Sequence, residues 1–179
     1  MTIQEIIQGC KRNDRNAQKL LYDKYLGKMY RLSLRYLGNS EDAEDCVSEG
    51  FVKIFENIKL FDYQEINSFE VWMKRIVINQ SLMNIRRRNN FKWVELEEAI
   101  EFGEDSGFDN NIDAQQVLKL IMDLPDGYRT VFNLYAIEGY SHPEISKLLN
   151  ISENTSKSQL HKARKMLQEL LKSRFRIEK

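Results

Sequence analysis

The chain has 179 residues, with 27 Lys plus Arg balanced by 27 Asp plus Glu, 42% apolar residues, two Pro and two Cys. That length suits one domain or two small ones, each able to bury a core, and no apolar run reaches the roughly 18 residues of a membrane-spanning helix. Met1 to Cys10 lacks the basic start and apolar centre of a signal peptide, so a cytoplasmic protein without membrane insertion is expected.

Apolar residues recur at helical spacing almost throughout, and no convincing strand-like alternation appears, so the expected fold class is all-α. Between Asp14 and Leu37 the stripe is Ala17, Leu20, Leu21, Tyr25, Met29, Leu32 and Tyr36, and Gly38 ends it. Asn39 or Ser40 can cap the next helix, whose first turn carries Glu41, Asp42, Glu44 and Asp45 against the positive end of the helix dipole. Its inner side is Ala43, Val47, Phe51, Ile54, Phe55 and Ile58. Asn67 or Ser68 can cap a third helix with Phe69, Trp72, Met73, Ile76 and Val77 inside. Cys10 and Cys46 stand far apart without CxxC or nearby His, so they are expected as small core residues and no metal is implied.

The neutral total hides segregated charge. Lys74 to Lys92 holds Lys74, Arg75, Arg86, Arg87, Arg88 and Lys92 with no acid, and Trp93 to Asp113 holds eight acids with no base. Lys157 to Lys179 is basic again, with eight Lys or Arg against Glu169 and Glu178. Two polyanion-binding surfaces separated by a linker that polyanions repel fit this order. The expected layout is a first helical domain over 1–90, an acidic linker over 91–111, and a second helical domain over 112–179.

The second domain holds the most informative local pattern. Val117, Leu118, Ile121, Met122 and Leu124 form one stripe that stops at Pro125, and Tyr128 to Ile137 forms another that ends at Gly139. Ser141-His142-Pro143-Glu144 is a capping box with an early proline. A short helix to Leu149, Asn150 where a left-handed residue suits a tight turn, and a long helix capped by Ser152 compose a helix-turn-helix. The second helix of such a unit enters a major groove, and its early outer residues are expected to be Asn154, Lys157, Ser158, Gln159, His161 and Lys162, with Arg164 and Lys165 nearer backbone phosphates.

These segments together resemble the extracytoplasmic-function sigma factors, the small promoter-recognition subunits of bacterial RNA polymerase. SEDAEDCVSEGFVKIFENI, from Ser40, looks like the family's region 2.2. SFEVWMKRIVINQSLMNIRRR, from Ser68, looks like regions 2.3 and 2.4, and Leu124 to Leu167 looks like region 4. The resemblance implies that Asp42, Asp45, Glu49 and Phe51 belong to a face that docks on the β′ clamp helices of core polymerase. It implies that Lys74, Arg75, Asn79 and Arg86 to Arg88 face the minus-ten element, with Asn79 the foremost base contact, and that the stretch from Phe61 to Ser68 captures a flipped-out base. Region 4 implies minus-thirty-five contacts from Asn154 to Arg164 and docking on the β flap. Promoter DNA and core polymerase are the implied partners, an anti-sigma protein is a common one in the family, and no cofactor is implied.

Some positions depart from the family pattern. Gly50 replaces a frequent Thr, Ile78 and Met83 stand where Arg and Asp are common, Ser146, Asn150 and Ser156 replace Ala, Gly and Val, and Gln159 replaces Arg. Two other classes compete with the resemblance. A DNA-binding regulator needs only the second domain and leaves the first without a role, while an enzyme lacks any GxSxG, phosphate loop, HExxH or Cys/His pair to carry it.

Overall fold

Thr2 and Glu5 start the first helix reciprocally. The Glu5 amide donates to Thr2 Oγ1 at 3.3 Å and the Thr2 amide donates to Glu5 Oε2 at 2.7 Å, a capping box for α1 (Ile3–Lys11) that the apolar periodicity did not signal. The computed structural model describes residues 1–62, 66–89 and 114–175. It forms two compact units that divide after Arg88, and among the described residues there is no strand. The expected linker over 91–111 lies outside the described residues.

In the first unit Asp14 caps α2 (Arg15–Leu37), its carboxylate accepting from the Asn16 amide at 2.8 Å. Gly38 closes that helix at φ 78°, a left-handed conformation in which a Cβ would be strained. Asn39 then caps α3 (Ser40–Asn57), accepting from the Asp42 amide at 2.9 Å, and a 3₁₀ turn follows at Ile58–Leu60. The fourth helix, α4 (Ile66–Asn89), begins ahead of Asn67 and Ser68, so neither is its cap as expected. Leu21, Met29, Tyr36, Cys46, Ile54, Phe69, Met73 and Val77 are fully buried here. A buried side chain of this size contributes roughly 1.5–3 kcal/mol each, which makes this helical packing the main source of stability.

The stripes shift at their edges. Leu20 is exposed although it fits the α2 stripe, and Trp72 and Ile76 are half-buried, while Ile78, Leu82 and Ile85 extend the buried side of α4 beyond the expected set. Trp72 stacks on Phe69 at 5.6 Å and lies 5.1 Å from Phe61, an aromatic packing role. Both cysteines are free and buried, as expected of core residues, with Cys46 Sγ 3.3 Å from Ser81 Oγ. Burial pushes both thiols up, Cys10 to about 11, so they stay protonated.

In the second unit α5 (Ala114–Met122) and α6 (Asp126–Phe132) meet around Arg129, which is 4% exposed. Its guanidinium donates to the carbonyls of Leu124 at 2.6 Å and Met122 at 3.0 Å and pairs with Asp126. A buried cation thus satisfies carbonyls that the end of α5 leaves without helical partners. The expected helix from Tyr128 to Ile137 divides in two: past Phe132 the backbone widens into a π-helical turn, Asn133–Ile137, closed by the Glu138 amide donating to Asn133 O at 2.9 Å. Next come α7 (His142–Leu149) and α8 (Glu153–Phe175). Asn150 joins them at φ 56° and ψ 51°, the left-handed turn its residue type suggested. The turn is tied twice, since the Ile151 amide donates to Ser146 O at 3.1 Å and Ser146 Oγ donates to Ile151 O at 2.6 Å. That second bond requires the Ser146 hydroxyl.

Candidate nucleic-acid interface

The outer face of α4 follows from helical spacing. Arg75, Asn79, Arg86 and Arg87 are exposed, while Lys74 is half-buried and reaches Glu70 at 3.5 Å. Cations in the last turn also suit the negative end of the helix dipole, so Arg86 to Arg88 are stabilised where they stand. These charges can hold phosphates, and the exposed Asn79 amide carries both donor and acceptor groups.

The acidic face of α3 divides. Asp45 and Glu49 are exposed, and Gln80 of α4 donates to Glu49 Oε2. Asp42 forms an ion pair with Arg88, which also donates to Leu37 O at 3.3 Å, and Asn39 donates to the same carboxylate at 2.7 Å. One expected docking residue and one expected DNA-facing residue are therefore partners of each other. Phe51 is 2% exposed, with its ring 4.7 Å from Tyr22. Its expected place on the docking face is corrected: Phe51 lies in the core, because the side of α3 that carries Val47 and Ile54 also carries it.

In the helix-turn-helix the spacing puts Asn154, Lys157 and His161 on one side of α8. Asn154 is exposed, and Lys157, His161, Lys162 and Arg164 are half-exposed. Ser158 and Gln159 are 6% and 4% exposed, which corrects their expected outer position. Three helices, α5, α6 and α7, all pack on α8 and cover more of its circumference than an amphipathic stripe implies. Ser158 Oγ is turned to Thr155 O at 3.0 Å, and Gln159 Oε1 has no hydrogen-bond partner among the described residues. Lys165, expected among the backbone contacts, is exposed.

His142, in the first turn of α7, also reaches α8. Its Nδ1 lies 2.9 Å from Ser156 Oγ, its ring stacks on Tyr135 at 4.6 Å, and the Arg164 guanidinium lies over the Tyr135 ring at 5.8 Å. Ser156 supplies the hydroxyl. The π-helical turn places Tyr135, so periodicity at 3.6 residues carries no sign of this cluster. Burial pushes the His142 pKa down, and Lys157 and Arg164 push it further. The imidazole thus ties α7 to α8 through Ser156. Of the stretch from Phe61 to Ser68, residues 63–65 lie outside the described residues; Phe61 itself is buried, and its carbonyl accepts from Lys11 Nζ at 2.5 Å.

Comparison with known proteins matches both units. A family model described as Sigma-70 region 2 covers residues 21–91, and one described as Sigma-70, region 4 covers 114–167. The ECF RNA polymerase sigma factor SigW of Bacillus subtilis (strain 168) is 31% identical over 96% of this chain and 98% of its own length. The ECF RNA polymerase sigma factor SigE of Mycolicibacterium smegmatis is 32% identical over 84% of this chain and 60% of its own. The sigma factor RpoE from Bartonella quintana, solved in complex with the anti-sigma factor NepR, shares the fold at a TM-score of 0.52 and 22% identity, over 86% of this chain and 96% of that one.

Proposed function

Since the chain belongs to the extracytoplasmic-function sigma factors of the sigma-70 family and serves transcription initiation by RNA polymerase, we propose how its residues divide that work. Asp42, Asp45 and Glu49 of α3 form the face that docks on the polymerase β′ clamp helices, and the helix-turn-helix unit docks on the β flap. Arg75, Asn79, Arg86 and Arg87, with Lys74 and Arg88 at their edges, meet the minus-ten element. Asn154, Lys157, His161, Lys162 and Arg164 meet the minus-thirty-five element. Phe51, Ser158 and Gln159 act from the core, by holding α3 and α8 in place. The protein works in the cytoplasm as a non-catalytic initiation factor, with 1–90 and 112–179 as its two domains and 91–111 as the acidic linker.

The observation that carries this assignment is the exposure of Asp45 and Glu49 on α3 beside the exposed bases of α4, within the part of the chain matched to region 2. Competition for core polymerase tests it. The purified chain should form a stoichiometric complex and displace a housekeeping sigma factor, and Asp45→Arg should weaken it at least ten-fold, since a like-charge contact at an interface costs several kcal/mol. Full displacement by Asp45→Arg would remove α3 from the docking face. Tight, sequence-specific duplex binding by the chain without polymerase would favour a free regulator instead.

A further inference from the structure

The charge of α2 has no role in the assignment above. Between Arg15 and Leu37 the helix carries Arg15, Lys19, Lys24, Lys28, Arg31 and Arg35 against a single acid, Asp23. Lys24, Lys28 and Arg31 follow i, i+4, i+7 and so share one face, clear of Asp23, and all three are exposed. Arg35 continues the row, half-buried, with its guanidinium 6.0 Å from the Tyr36 ring. At 1.5 Å per residue the row from Lys24 to Arg35 runs about 16 Å, the axial length of roughly five base pairs.

Two further observations bear on its use. Glu70 of α4 holds Lys28 at 2.5 Å and Lys74 at 3.5 Å, so the α2 row and the basic side of α4 meet at one shared carboxylate and form a continuous surface. Glu70 offsets one charge of the two, which leaves the join positive. Beside the row is Gly27, exposed in the middle of a long helix, where a Cβ would touch nothing closer than Arg31 Nη1 at 3.7 Å. Packing therefore gives no reason for a glycine at a position where it costs about 1 kcal/mol relative to Ala. A bare backbone next to three cations is what close approach of a phosphate chain uses.

We propose that Lys24, Lys28 and Arg31, with the gap at Gly27, form a second phosphate-binding surface of the first unit, which grips the backbone of the DNA that α4 reads. This rests on the α4 assignment for its orientation on promoter DNA, but not for the binding itself. The surface is sequence-independent: it contributes affinity and salt dependence and leaves base preference to Asn79 and α8.

The test uses the full chain and a fluorescently labelled duplex of arbitrary sequence, titrated between about 50 and 200 mM salt. Lys24→Gln/Lys28→Gln/Arg31→Gln should lower the slope of log affinity against log salt by about two to three and weaken binding several-fold or more at low salt. Arg15→Gln/Lys19→Gln, on the opposite face of α2, removes two charges to the triple variant's three and should leave the slope within about half a unit of wild type. Gly27→Glu guards against misfolding, since Glu favours a helix over Gly: this variant should melt no lower than wild type yet bind DNA more weakly. An unchanged slope in the triple variant, or equal losses in the control, overturns the proposal. So does a loss confined to polymerase binding, which would make the row a protein contact. Arg75→Gln/Arg86→Gln/Arg87→Gln separates the two assignments, because its failure to weaken DNA binding would sink the α4 reading and leave the α2 surface standing.

Discussion

Arg129 and Gln159 show opposite fates for a buried polar side chain. Arg129 has two carbonyls and a carboxylate around it, so Arg129→Met should destabilise the second unit by about 2–4 kcal/mol, as Met122 O, Leu124 O and Asp126 lose their donor. Urea denaturation measures this, and a loss below about 1 kcal/mol would mean that water replaces the guanidinium. Gln159 is 4% exposed and its side-chain oxygen has no hydrogen-bond partner among the described residues. Gln159→Met should raise stability by about 1 kcal/mol and leave DNA affinity unchanged. A marked loss of sequence preference in that variant would instead return Gln159 to the reading face. The Asp42–Arg88 pair is a third case: both side chains are about a third exposed, so Asp42→Asn should cost less than about 1 kcal/mol of stability. A larger effect on polymerase affinity than on stability would separate docking from scaffolding.

At the scale of elements, close approach and capping decide the outcome. A Cβ on Gly9 would stand 2.5 Å from Ala17 Cβ, so α1 rests on α2 only because Gly9 has none. Gly9→Ala should destabilise the first unit by about 1–3 kcal/mol, readable as a lower melting temperature with unchanged helix content. A Cβ on Gly50 would stand 3.2 Å from Val77 Cγ2, a tighter contact than most side chains make, which sets a packing cost against the glycine's propensity cost inside α3. In the second unit His142 and Glu144 make the helix-turn-helix sensitive to acid. Burial, then Lys157 and Arg164, lower the His142 pKa from its ordinary 6.5, so the folded chain resists protonation that the unfolded chain accepts. Stability is then fully present above pH 6.5 and falls as pH drops through the lowered folded value. Glu144, held low by hydrogen bonds from Ser141, acts in the same direction further down, its cap persisting until its own lowered pKa is reached. The denaturation midpoint of this unit should fall between neutral pH and pH 5, and His142→Gln should flatten the upper part of that fall. A flat profile in the wild type would remove His142 from the account.

Over the whole molecule, the compensation of 27 bases by 27 acids sets how the chain meets DNA. The basic faces are local, so free-chain binding to duplex should be weak and fall steeply with salt, and polymerase should be needed before sequence is read. Fluorescence anisotropy with and without core polymerase measures this; shallow salt dependence would mean that base contacts, not phosphates, dominate.

The long helices, most of their caps and the region order were legible in the residues because each is a local matter, although α1 and its Thr2–Glu5 capping box were missed. Gly38, Asn39, Ser141, Glu144 and Asn150 act within a few positions of themselves, and the all-α class follows from periodicity. What lay beyond the chain's own pattern depends on neighbours distant in sequence. The start of α4 at Ile66 and the π-helical turn that carries Tyr135 were not written in the apolar spacing. Phe51 left the docking face for contact with Tyr22, and Ser158 and Gln159 left the reading face because three helices, not one, cover α8. Helical spacing assigns a residue to a face, and only packing decides how wide the buried face is. By the same reasoning the row on α2 acquired its meaning when folding brought Lys28 and Lys74 to the same carboxylate.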